Sequence, residues 1–548
     1  MVSVVVVIAL VASAFYLMQS PVSADSTAKD KGVVLMDQAY SSTGGIPSNI
    51  FMGNNQKYNT TTTLSYDSSS GAINYRTEGD QSGAVFVGIQ PFINGNLTIR
   101  LKVSSDNWNS NVYILGSTFW IQTQSLSNGG ARVISLYQTS EAKYKEASYD
   151  VPPSALEGGI NTIHIMVSGT NRSLYVYFDS EHGVTTPLSH WSVQKLPYEP
   201  MTLPTLRFEN EKSGYATYVT TSLYGVKETI AGGVVTAVPG NDYVPFGIDY
   251  PRVEANQNGT NLMKAKGQTG VAWADLQWLE YEPEQKAYIQ SLLDAGWELG
   301  IHYNTSLSNH PLAEAQKVMK EQYDAVTSIF GRTPTSWCSY QNGDNVTHAI
   351  YAYNQLHMIW RNGYSGISYI SNIGNLEERW WSSFWSSTSN GQIVYPSFTH
   401  MTDQVEAEDY SIDIGNFAKW IQSYSGKHIV GFNEYYQRVM NQVDTRVQYL
   451  NDTNSTSLKF SVQTNGFQAR LMIAFPDAQN ATVLKDGHAL VKDVDYTVNG
   501  QYIVLYAGSG ATYEVIPPVT GNLKVSQSNL LQILPSPLDG IAAAVREQ

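Results

Sequence analysis

Cysteine is almost absent from this chain, since Cys338 is the only one among 548 residues. A single cysteine excludes an internal disulfide framework, and a chain of this length buries enough apolar surface to fold without one. Basic residues are also scarce, because 33 lysines and arginines stand against 47 aspartates and glutamates, giving a formal net charge of −14. This acidic balance argues against nucleic acid or an anionic membrane as a partner. It is compatible with a neutral or cationic glycan.

Long hydrophobic runs are missing except at the start of the chain. Residues 2–18 carry no charged side chain, and Pro21-Val-Ser-Ala24 follows as a small-residue cleavage site. This order predicts a secretory signal peptide over residues 1–24, without the usual positive charge ahead of the apolar run. Because such a run is close to the shortest that crosses a bilayer, an uncleaved N-terminal anchor is the alternative. We expect a protein that is secreted or lies on the extracellular cell surface, with no other membrane segment.

The sequence is rich in acceptor sites for N-linked sugar, in keeping with export. Nine Asn-x-Ser/Thr sequences occur, at Asn59, Asn96, Asn171, Asn258, Asn304, Asn345, Asn451, Asn454 and Asn480. Single sites arise by chance in Ser/Thr-rich chains, but nine in an exported chain predict a glycoprotein.

The region from about residue 32 to 230 has an almost entirely β pattern. Residues 96–103 alternate strictly, with Leu97, Ile99, Leu101 and Val103 on one face. Similar runs are separated by clusters of Gly, Asn and Ser, and no long segment with a helical period interrupts them. The pattern predicts a β-sandwich of jelly-roll type. The region resembles the concanavalin/laminin-G class of sandwich, which implies a lectin-like role in carbohydrate binding.

The pattern changes after Gly232-Gly233. From about residue 244 to 441, short apolar strands alternate with amphipathic segments that predict helices over 283–295, 312–330 and 414–424. This alternation predicts a parallel sheet with helices packed on it, whose functional loops follow the strand ends. Residues 456–517 predict a small C-terminal β-sandwich with a hairpin turn at Asp486-Gly487, and residues 518–548 a loose tail.

One segment of the central region has a family resemblance. Gly296-Trp-Glu-Leu-Gly-Ile-His302 resembles the Gly-His-Glu-Ile-Gly-Asn-His motif of the NodB-type polysaccharide deacetylases. The resemblance covers about two hundred residues and implies a (β/α)₇ barrel. In that family an aspartate and two histidines hold a divalent metal, which supports hydrolysis of an acetyl group on a polysaccharide. The chain as a whole is therefore expected to be multidomain, with a deacetylase-like barrel between two β-sandwiches.

The resemblance assigns site residues by position. Phe246-Gly-Ile-Asp249-Tyr-Pro251 corresponds to Thr-Phe-Asp-Asp-Gly-Pro of the family, which makes Asp249 a metal ligand. Ile248 stands where the family has its general base, and isoleucine cannot accept a proton. His302 corresponds to the first metal-binding histidine. The second is expected four residues on, but His310 occurs eight residues on, in Asn-His-Pro, so an insertion would restore the ligand.

The family's acid and arginine motifs give two further expectations. Phe398-Thr-His400-Met-Thr-Asp403 resembles the Leu-His-Asp segment, which makes His400 the catalytic acid. The motif Arg-x-Pro-x-Gly corresponds to Cys338-Ser-Tyr-Gln-Asn-Gly343, where the arginine is missing; Cys338 is expected to be a buried structural thiol. In the family that arginine holds the base, so its absence is consistent with Ile248. Asp275, at a predicted strand end, is a candidate replacement base, and Asp344 and Asp403 are the other candidates.

The residues also suggest a metal site without the family. One carboxylate and two imidazoles, from Asp249, His302 and His310, suit Zn²⁺ or a similar ion with an open position. The leading hypothesis is a secreted, metal-dependent carbohydrate deacetylase acting on an extracellular or cell-envelope polysaccharide. One alternative is a catalytically inactive deacetylase-like surface protein that binds glycan. Another is a glycosidase, which would need two carboxylates facing the substrate.

Overall fold

The computed structural model describes most of the chain between residues 33 and 518. The described ranges are 33–40, 45–47, 49–53, 61–78, 83–89, 93–104, 108–114, 119–138, 144–156, 158–168, 173–180, 184–192, 205–212, 218–230, 233–239, 242–340, 346–361, 368–369, 397–400, 402–403, 412–450 and 456–518. The predicted signal peptide at residues 1–24 and the tail after residue 518 lie outside them. No helix within these ranges has the length and apolar character needed to cross a bilayer.

Two antiparallel sheets form the N-terminal part of the described chain. In chain order their strands are β1 (Val33–Ala39), β2 (Ile50–Gly53), β3 (Thr61–Asp67), β4 (Ala72–Glu78), β5 (Gly83–Gly88), β6 (Asn94–Val103), β7 (Trp108–Tyr113), β8 (Phe119–Ser125), β9 (Ala131–Gln138), β10 (Tyr144–Val151), β11 (Asn161–Ser168), β12 (Ser173–Ser180), β13 (Val184–Ser192), β14 (Thr205–Lys212) and β15 (Tyr218–Ile230). One sheet has the order β13-β12-β11-β6-β15-β4-β3, with β1 also on β15, and the other β10-β9-β8-β7-β14-β5-β2.

The two sheets pack face to face, and strand β6 shows why. Buried and half-buried residues alternate along it, and Leu97 and Leu101 are fully buried. Between the sheets, the ring of Tyr75 on β4 meets that of Phe208 on β14 edge to face, with centroids 6.5 Å apart. The Tyr75 hydroxyl lies 2.5 Å from Oγ of Ser110 on β7. The period-2 pattern of the sequence therefore predicts the β-rich, two-sheet arrangement of this domain.

The central region carries a parallel sheet. Strand β16 (Val234–Thr236) leads into it from the sandwich but pairs elsewhere. The parallel strands are β17 (Tyr243–Asp249), β18 (Val271–Ala274), β19 (Glu298–Tyr303), β20 (Ser336–Ser339), β21 (Ile359–Trp360), β22 (Ser368–Tyr369), β23 (Ser397–Thr399) and β24 (His428–Val430). Their order is β21-β20-β19-β18-β17-β23-β22, and β24 also pairs with β17.

This sheet curls into a half-barrel. Residues 243–245 of β17 pair with β24, whereas residues 246–248 pair with β23. The neighbouring strand on this side of β17 therefore changes along its length. The described strands do not close into the full (β/α)₇ barrel that the sequence predicts. Between β21 and β23 the chain passes through residues 362–367 and 370–396, which lie outside the described ranges.

Helices follow the parallel strands as the sequence pattern predicts. They are α1 (Val253–Ala265), α2 (Leu276–Tyr281), α3 (Pro283–Asp294), α4 (Leu312–Phe330), α5 (Val346–Tyr351), α6 (Ile414–Ser423) and α7 (Phe432–Asp444). Side chains that accept from backbone N–H groups begin two of them, Asp275 for α2 and Asp413 for α6. Gly331 ends α4 with a φ of 64°, a left-handed conformation that glycine adopts without strain. The predicted helices at 283, 312 and 414 are confirmed.

The C-terminal module is a pair of small antiparallel sheets. Its strands are β25 (Arg446–Tyr449), β26 (Leu458–Gln463), β27 (Ala469–Ala474), β28 (Thr482–Lys485), β29 (His488–Ala489), β30 (Tyr496–Asn499), β31 (Tyr502–Ala507) and β32 (Thr512–Ile516). One sheet has the order β16-β27-β31-β30 and the other β25-β26-β32-β28-β29. At the predicted turn, Asp486 and Gly487 have φ values of 50° and 81°, as a tight hairpin turn requires. The module thus also uses β16 and β25, which lie outside residues 456–517.

Trp273 fills the interior of the half-barrel beneath the strand ends. The side chain is fully buried on β18, and its indole N–H donates to Ser336 Oγ at 3.1 Å. A Cβ atom on Gly247 or on Gly300, in the two strands beside it, would lie 2.2 Å from the indole ring. Phe432 packs edge to face against the same ring, with centroids 5.0 Å apart. Gly247 on β17 and Gly300 on β19 therefore leave room for the Trp273 indole beneath the strand ends.

The carboxyl group of a half-buried glutamate joins the opposite end of the sheet to α7. Glu298, at the start of β19, accepts backbone N–H bonds from Asn433 at 2.9 Å and Glu434 at 2.8 Å. A Cβ atom on Gly431 would lie 2.1 Å from its carboxyl carbon, so only glycine fits there. Burial raises the pKa of Glu298 to about 7, although the two N–H bonds act in the opposite direction.

This carboxyl group predicts a pH dependence of stability. A pKa that is higher in the folded state than in the unfolded state means that stability is lost as pH rises towards 7, because ionisation is then less favourable in the folded protein. We expect the denaturation midpoint of the wild type to fall, relative to that of Glu298→Gln, between about pH 4.5 and pH 7. A midpoint that instead rises over this interval would show that the helix N-terminus holds the ionised form.

Candidate metal centre

Six polar side chains from neighbouring parallel strands meet at one edge of the half-barrel sheet. Because parallel strands end at the same edge, residues far apart in sequence come together there. Three lie within strands and three directly follow one, and the set is Asp249 (β17), Asp275 (after β18), His302 (β19), Cys338 (β20), Arg361 (after β21) and His400 (after β23). All are buried except His400, which is half-buried.

Asp249 lies at the centre of this group, and its two oxygens face different partners. Oδ1 accepts a very short hydrogen bond from the Arg361 guanidinium and lies 4.0 Å from Cys338 Sγ. Oδ2 lies 3.9 Å from His302 Nε2 and 3.6 Å from His400 Nε2. Burial would raise the pKa of Asp249, but the charge of Arg361, with smaller contributions from the two imidazoles, holds it well below its usual range. The side chain is therefore a carboxylate at neutral pH.

Both imidazoles are held at their other ring nitrogen. His302 Nδ1 donates to Asp275 Oδ2 at 3.1 Å, and the Tyr250 hydroxyl lies 2.8 Å from His400 Nδ1 and 3.4 Å from its Nε2. Asp275 is itself fixed, because its Oδ1 accepts the backbone N–H of Gln277 at 2.9 Å at the start of α2. Such outer partners orient histidines that ligate metals. They leave both Nε2 atoms turned towards Asp249.

The donor set fits a divalent metal. Two ligand atoms that share a tetrahedral Zn²⁺ ion lie roughly 3.3–3.5 Å apart, given metal–ligand distances of about 2.0–2.2 Å. The separation of 3.9 Å between Asp249 Oδ2 and His302 Nε2 is somewhat longer than this value. Among the described residues, Asp249, His302 and Cys338 also form a group whose ligand atoms all lie within 4.8 Å of one another. Carboxylate, imidazole and thiolate are all zinc ligands.

Arg361 is the residue of this group that sequence reasoning missed. The motif carrying the family's arginine corresponds to residues 338–343, which contain none, and a guanidinium seemed superfluous without a carboxylate at position 248. The structure corrects this expectation, because the strand after β20 supplies a buried arginine that pairs with Asp249 instead. Its guanidinium lies 4.7 Å from the centre of the Trp273 ring. The sequence feature that could have identified Arg361 is its position directly after the apolar segment Met358-Ile-Trp360.

The sequence-assigned residues are not all in one place. Asp249, Asp275, His302 and His400 come together, whereas His310 lies on the loop between β19 and α4. There its Nε2 is 3.2 Å from Thr305 Oγ1 and its Nδ1 is 3.3 Å from Glu314 Oε1. The role of His310 as a metal ligand stays a prediction, as do the catalytic roles of His400 and Asp275.

Comparison with known proteins does not assign a function to this site, so its interpretation rests on the geometry described above. No family model and no curated protein sequence matches the chain. Among solved structures, the catalytic domain of a laminarinase from Thermotoga petrophila RKU-1 is 9% identical, with a TM-score of 0.29, over 37% of this chain and 99% of that one. The peptidoglycan deacetylase PdaC from Bacillus subtilis is 16% identical, with a TM-score of 0.27, over 37% and 93%. A legume lectin-like domain from Entamoeba histolytica is 8% identical, with a TM-score of 0.25, over 34% and 98%. TM-scores this low carry no argument about function.

Proposed function

We propose that the chain is a secreted, metal-dependent hydrolase of the polysaccharide deacetylase type, which removes acetyl groups from an extracellular or cell-envelope glycan. The observation that carries the proposal is that two imidazoles, each fixed at Nδ1, face one oxygen of a buried carboxylate. A structural ion pair needs one partner for the carboxylate, and Arg361 already supplies it. The second oxygen of Asp249 is not needed for that pair and faces the two imidazoles.

Each residue around Asp249 has a distinct task in this proposal. Asp249 and His302 would hold the ion, probed first as Zn²⁺. When bound, the metal would polarise the acyl carbonyl and acidify water. Asp275 keeps the proton on Nδ1 of His302, so that the lone pair of Nε2 points at the site. Arg361 fixes the carboxylate from the opposite side.

The base of the reaction differs from that of the family. Ile248 is fully buried in the core and offers no proton acceptor. Both oxygens of Asp275, the candidate replacement, already accept hydrogen bonds, from His302 and from the backbone of Gln277. We therefore assign Asp275 a positioning role and expect slow turnover, because neither Ile248 nor Asp275 supplies a free base for the attack of water.

Aromatic side chains near the strand ends suit a sugar substrate. Trp278 and Tyr281 on α2 are 37% and 73% exposed, and Tyr340, directly after β20, is 51% exposed. The apolar faces of these rings can pack against the apolar face of a sugar ring. Their hydroxyl and N–H groups can hydrogen-bond to sugar hydroxyls. We propose that the glycan lies across this edge. The N-terminal sandwich at residues 32–230 and the C-terminal one around 456–517 would then be accessory domains, the first lectin-like.

A second candidate is a glycan-binding protein without catalysis. It is favoured by the ion pair between Arg361 and Asp249, which offsets the charge that would attract a cation. Loss of the base position to Ile248 points the same way.

Acetate release separates the two candidates. The full-length protein is incubated with Zn²⁺ and acetylated glycans, both N-acetylated (chitin oligosaccharides, peptidoglycan) and O-acetylated (xylan). We expect acetate from the wild type and a loss of about 100-fold or more in His302→Ala, since His302 is proposed as a metal ligand. His488→Ala, which removes an exposed imidazole in the C-terminal module, is the matched control and should keep full activity. Glycan binding without acetate release by the wild type would establish the second candidate.

A further inference from the structure

Cys338 lies beside His302 in the parallel sheet and faces the same side of it. The two residues are register partners on the neighbouring strands β19 and β20. Residues paired in this way direct their side chains to the same face of a sheet. We propose that Cys338 binds the metal as a thiolate, together with Asp249 and His302, and is more than a buried structural thiol. The inference rests on the proposed metal-dependent function and completes the ligand set of its site.

The pleat of the sheet places the three proposed ligands in one layer above the Trp273 indole. The positions two residues before them surround that ring, and they are Gly247, Gly300 and Ser336. A Cβ atom on either glycine would lie 2.2 Å from the ring, and Ser336 Oγ accepts the indole N–H at 3.1 Å. Because side chains two residues apart along a strand share a face, the proposed ligands project on the same side of the sheet as the indole, one step nearer the strand ends.

The ligand atoms lie close enough together for one ion. One ligand atom from each of Asp249, His302 and Cys338 lies within 4.8 Å of the other two. Cys338 Sγ is 4.0 Å from Asp249 Oδ1, and His302 Nε2 is 3.9 Å from Asp249 Oδ2. Around a tetrahedral Zn²⁺ ion, with Zn–S of about 2.3 Å and Zn–O of about 2.0–2.2 Å, sulfur and oxygen lie roughly 3.6 Å apart. The separations in the protein are slightly longer, so the three side chains fit one ion after small movements.

The charge balance of the pocket favours a thiolate as the third ligand. Arg361 pairs with Asp249, so these two side chains carry no net charge between them. A metal-bound imidazole is neutral, so His302 adds no negative charge. A divalent ion buried among these groups needs a negatively charged ligand, because burial of an unpaired charge is costly. Cys338 is fully buried, and a thiol loses its proton when it coordinates a metal. The thiolate would therefore replace the negative charge that Arg361 neutralises on Asp249.

This ligand set differs in character from the one that the family resemblance implies. Sulfur is a softer ligand than nitrogen or oxygen, so the site should prefer Zn²⁺ or Co²⁺ to Mg²⁺. Three protein ligands leave one position of a tetrahedral site open, as in catalytic zinc sites. His310 is not needed, because both its nitrogens have partners on its own loop. His400 does not belong to the group of ligand atoms found among the described residues, and it stays the predicted catalytic acid.

The absorption spectrum of the full-length protein loaded with Co²⁺ tests the thiolate directly. A thiolate bound to Co²⁺ gives an intense charge-transfer band in the near ultraviolet. Cys338 is the only cysteine in the chain, so such a band can come from no other residue. We expect the band in the wild type and in the control His310→Ala, and its loss in Cys338→Ser. The wild-type spectrum decides the question even if a variant does not fold.

Zn²⁺ titration of the same proteins measures what the thiolate contributes to affinity. A purely structural thiol would act through its long hydrogen bonds, to the carbonyl oxygen of Ile301 at 3.8 Å and to Asp249 Oδ1 at 4.0 Å. Serine is a stronger donor of similar shape and can replace both, so Cys338→Ser should keep its fold by circular dichroism. We expect it to weaken Zn²⁺ binding by more than the roughly 10–100-fold that loss of an outer partner of a ligand costs. Cys338→Ala serves as a second variant.

The possible outcomes separate this ligand set from the proposed reaction. A wild type that binds Co²⁺ without the charge-transfer band would overturn the thiolate ligand and leave the proposed reaction standing. Loss of the ion in His310→Ala with retention in Cys338→Ser would restore the assignment by resemblance and overturn ours. An ion and a band that depend on Cys338, in a protein that releases no acetate, would support the site and refute the proposed reaction. A wild type that binds no ion refutes both.

Discussion

Asp249→Ala is expected to abolish metal binding and to lower the free energy of unfolding by about 3–5 kcal/mol, because the buried Arg361 loses its carboxylate. Both side chains of this pair are 2% exposed, so water cannot replace the missing partner. Denaturation followed by circular dichroism measures the stability term, and equilibrium dialysis against Zn²⁺ measures the binding term. Since the pKa of Asp249 is depressed in the folded state, the stability that it contributes is present above about pH 4 and declines as pH falls further.

A double variant separates the ion pair from general damage to the site. Arg361→Met alone should also be destabilising, because it leaves Asp249 buried beside two imidazoles. The combination Asp249→Asn with Arg361→Met removes both charges, and it should be more stable than the sum of the effects of Asp249→Asn alone and Arg361→Met alone predicts. Strictly additive effects would contradict the account of a coupled pair. Metal binding should stay absent in the double variant, since asparagine lacks the carboxylate that is proposed to hold the ion.

Trp273→Ala is expected to cost about 3–5 kcal/mol of unfolding free energy, the range for emptying a large aromatic site in a core. The indole supports Arg361 from below, at 4.7 Å, and also packs against Phe432. The same variant should therefore weaken metal binding, although Trp273 is not itself a ligand. Denaturation and Zn²⁺ titration of one preparation measure both effects.

The glycine beside this ring supplies a control. Gly300→Ala places a methyl group 2.2 Å from the indole and should cost about 1–3 kcal/mol by overpacking. In a Trp273→Phe background, where the ring is smaller, the same substitution should cost less. Equal costs in the two backgrounds would show that Gly300 is needed for backbone reasons and not for the room that it leaves.

Local patterns in the sequence were sufficient to predict the elements. Strict alternation over residues 96–103 corresponds to β6, and the amphipathic segment at 312–330 corresponds to α4 with the same bounds. Asp249 and His302 were singled out because each lies at the end of a short apolar strand, and parallel strands end together, whereas His400 was assigned only by its resemblance to a family motif. In these cases a few neighbouring residues decide the structure, so a single sequence contains the information.

The missed features depend on contacts between distant residues. The pairing of β16 with β27 joins positions more than two hundred residues apart, and nothing within β16 indicates its partner. Arg361 reaches Asp249 only because β18 to β20 fill the sheet between their strands and Trp273 supports the guanidinium. Tyr250 resembles an ordinary loop residue until its positive φ turns the hydroxyl towards His400.

The positions of His310 and His400 show the same limit. A missing histidine four residues after His302 suggests an insertion, and His310 is the next histidine along the chain. The structure instead shows that the loop satisfies His310 locally, through Thr305 and Glu314. Motif spacing does not show that His400, almost one hundred residues after His302, lies beside Asp249, because the strand order of the sheet decides which strand ends are neighbours.

The most direct test of the account is the metal content of the purified full-length protein, wild type beside His302→Ala, after saturation with Zn²⁺ and removal of free ion. The account predicts about one ion per wild-type chain, in line with a single mononuclear site, and none in the variant. A wild type without bound metal, or a variant that retains it, would contradict the proposed site.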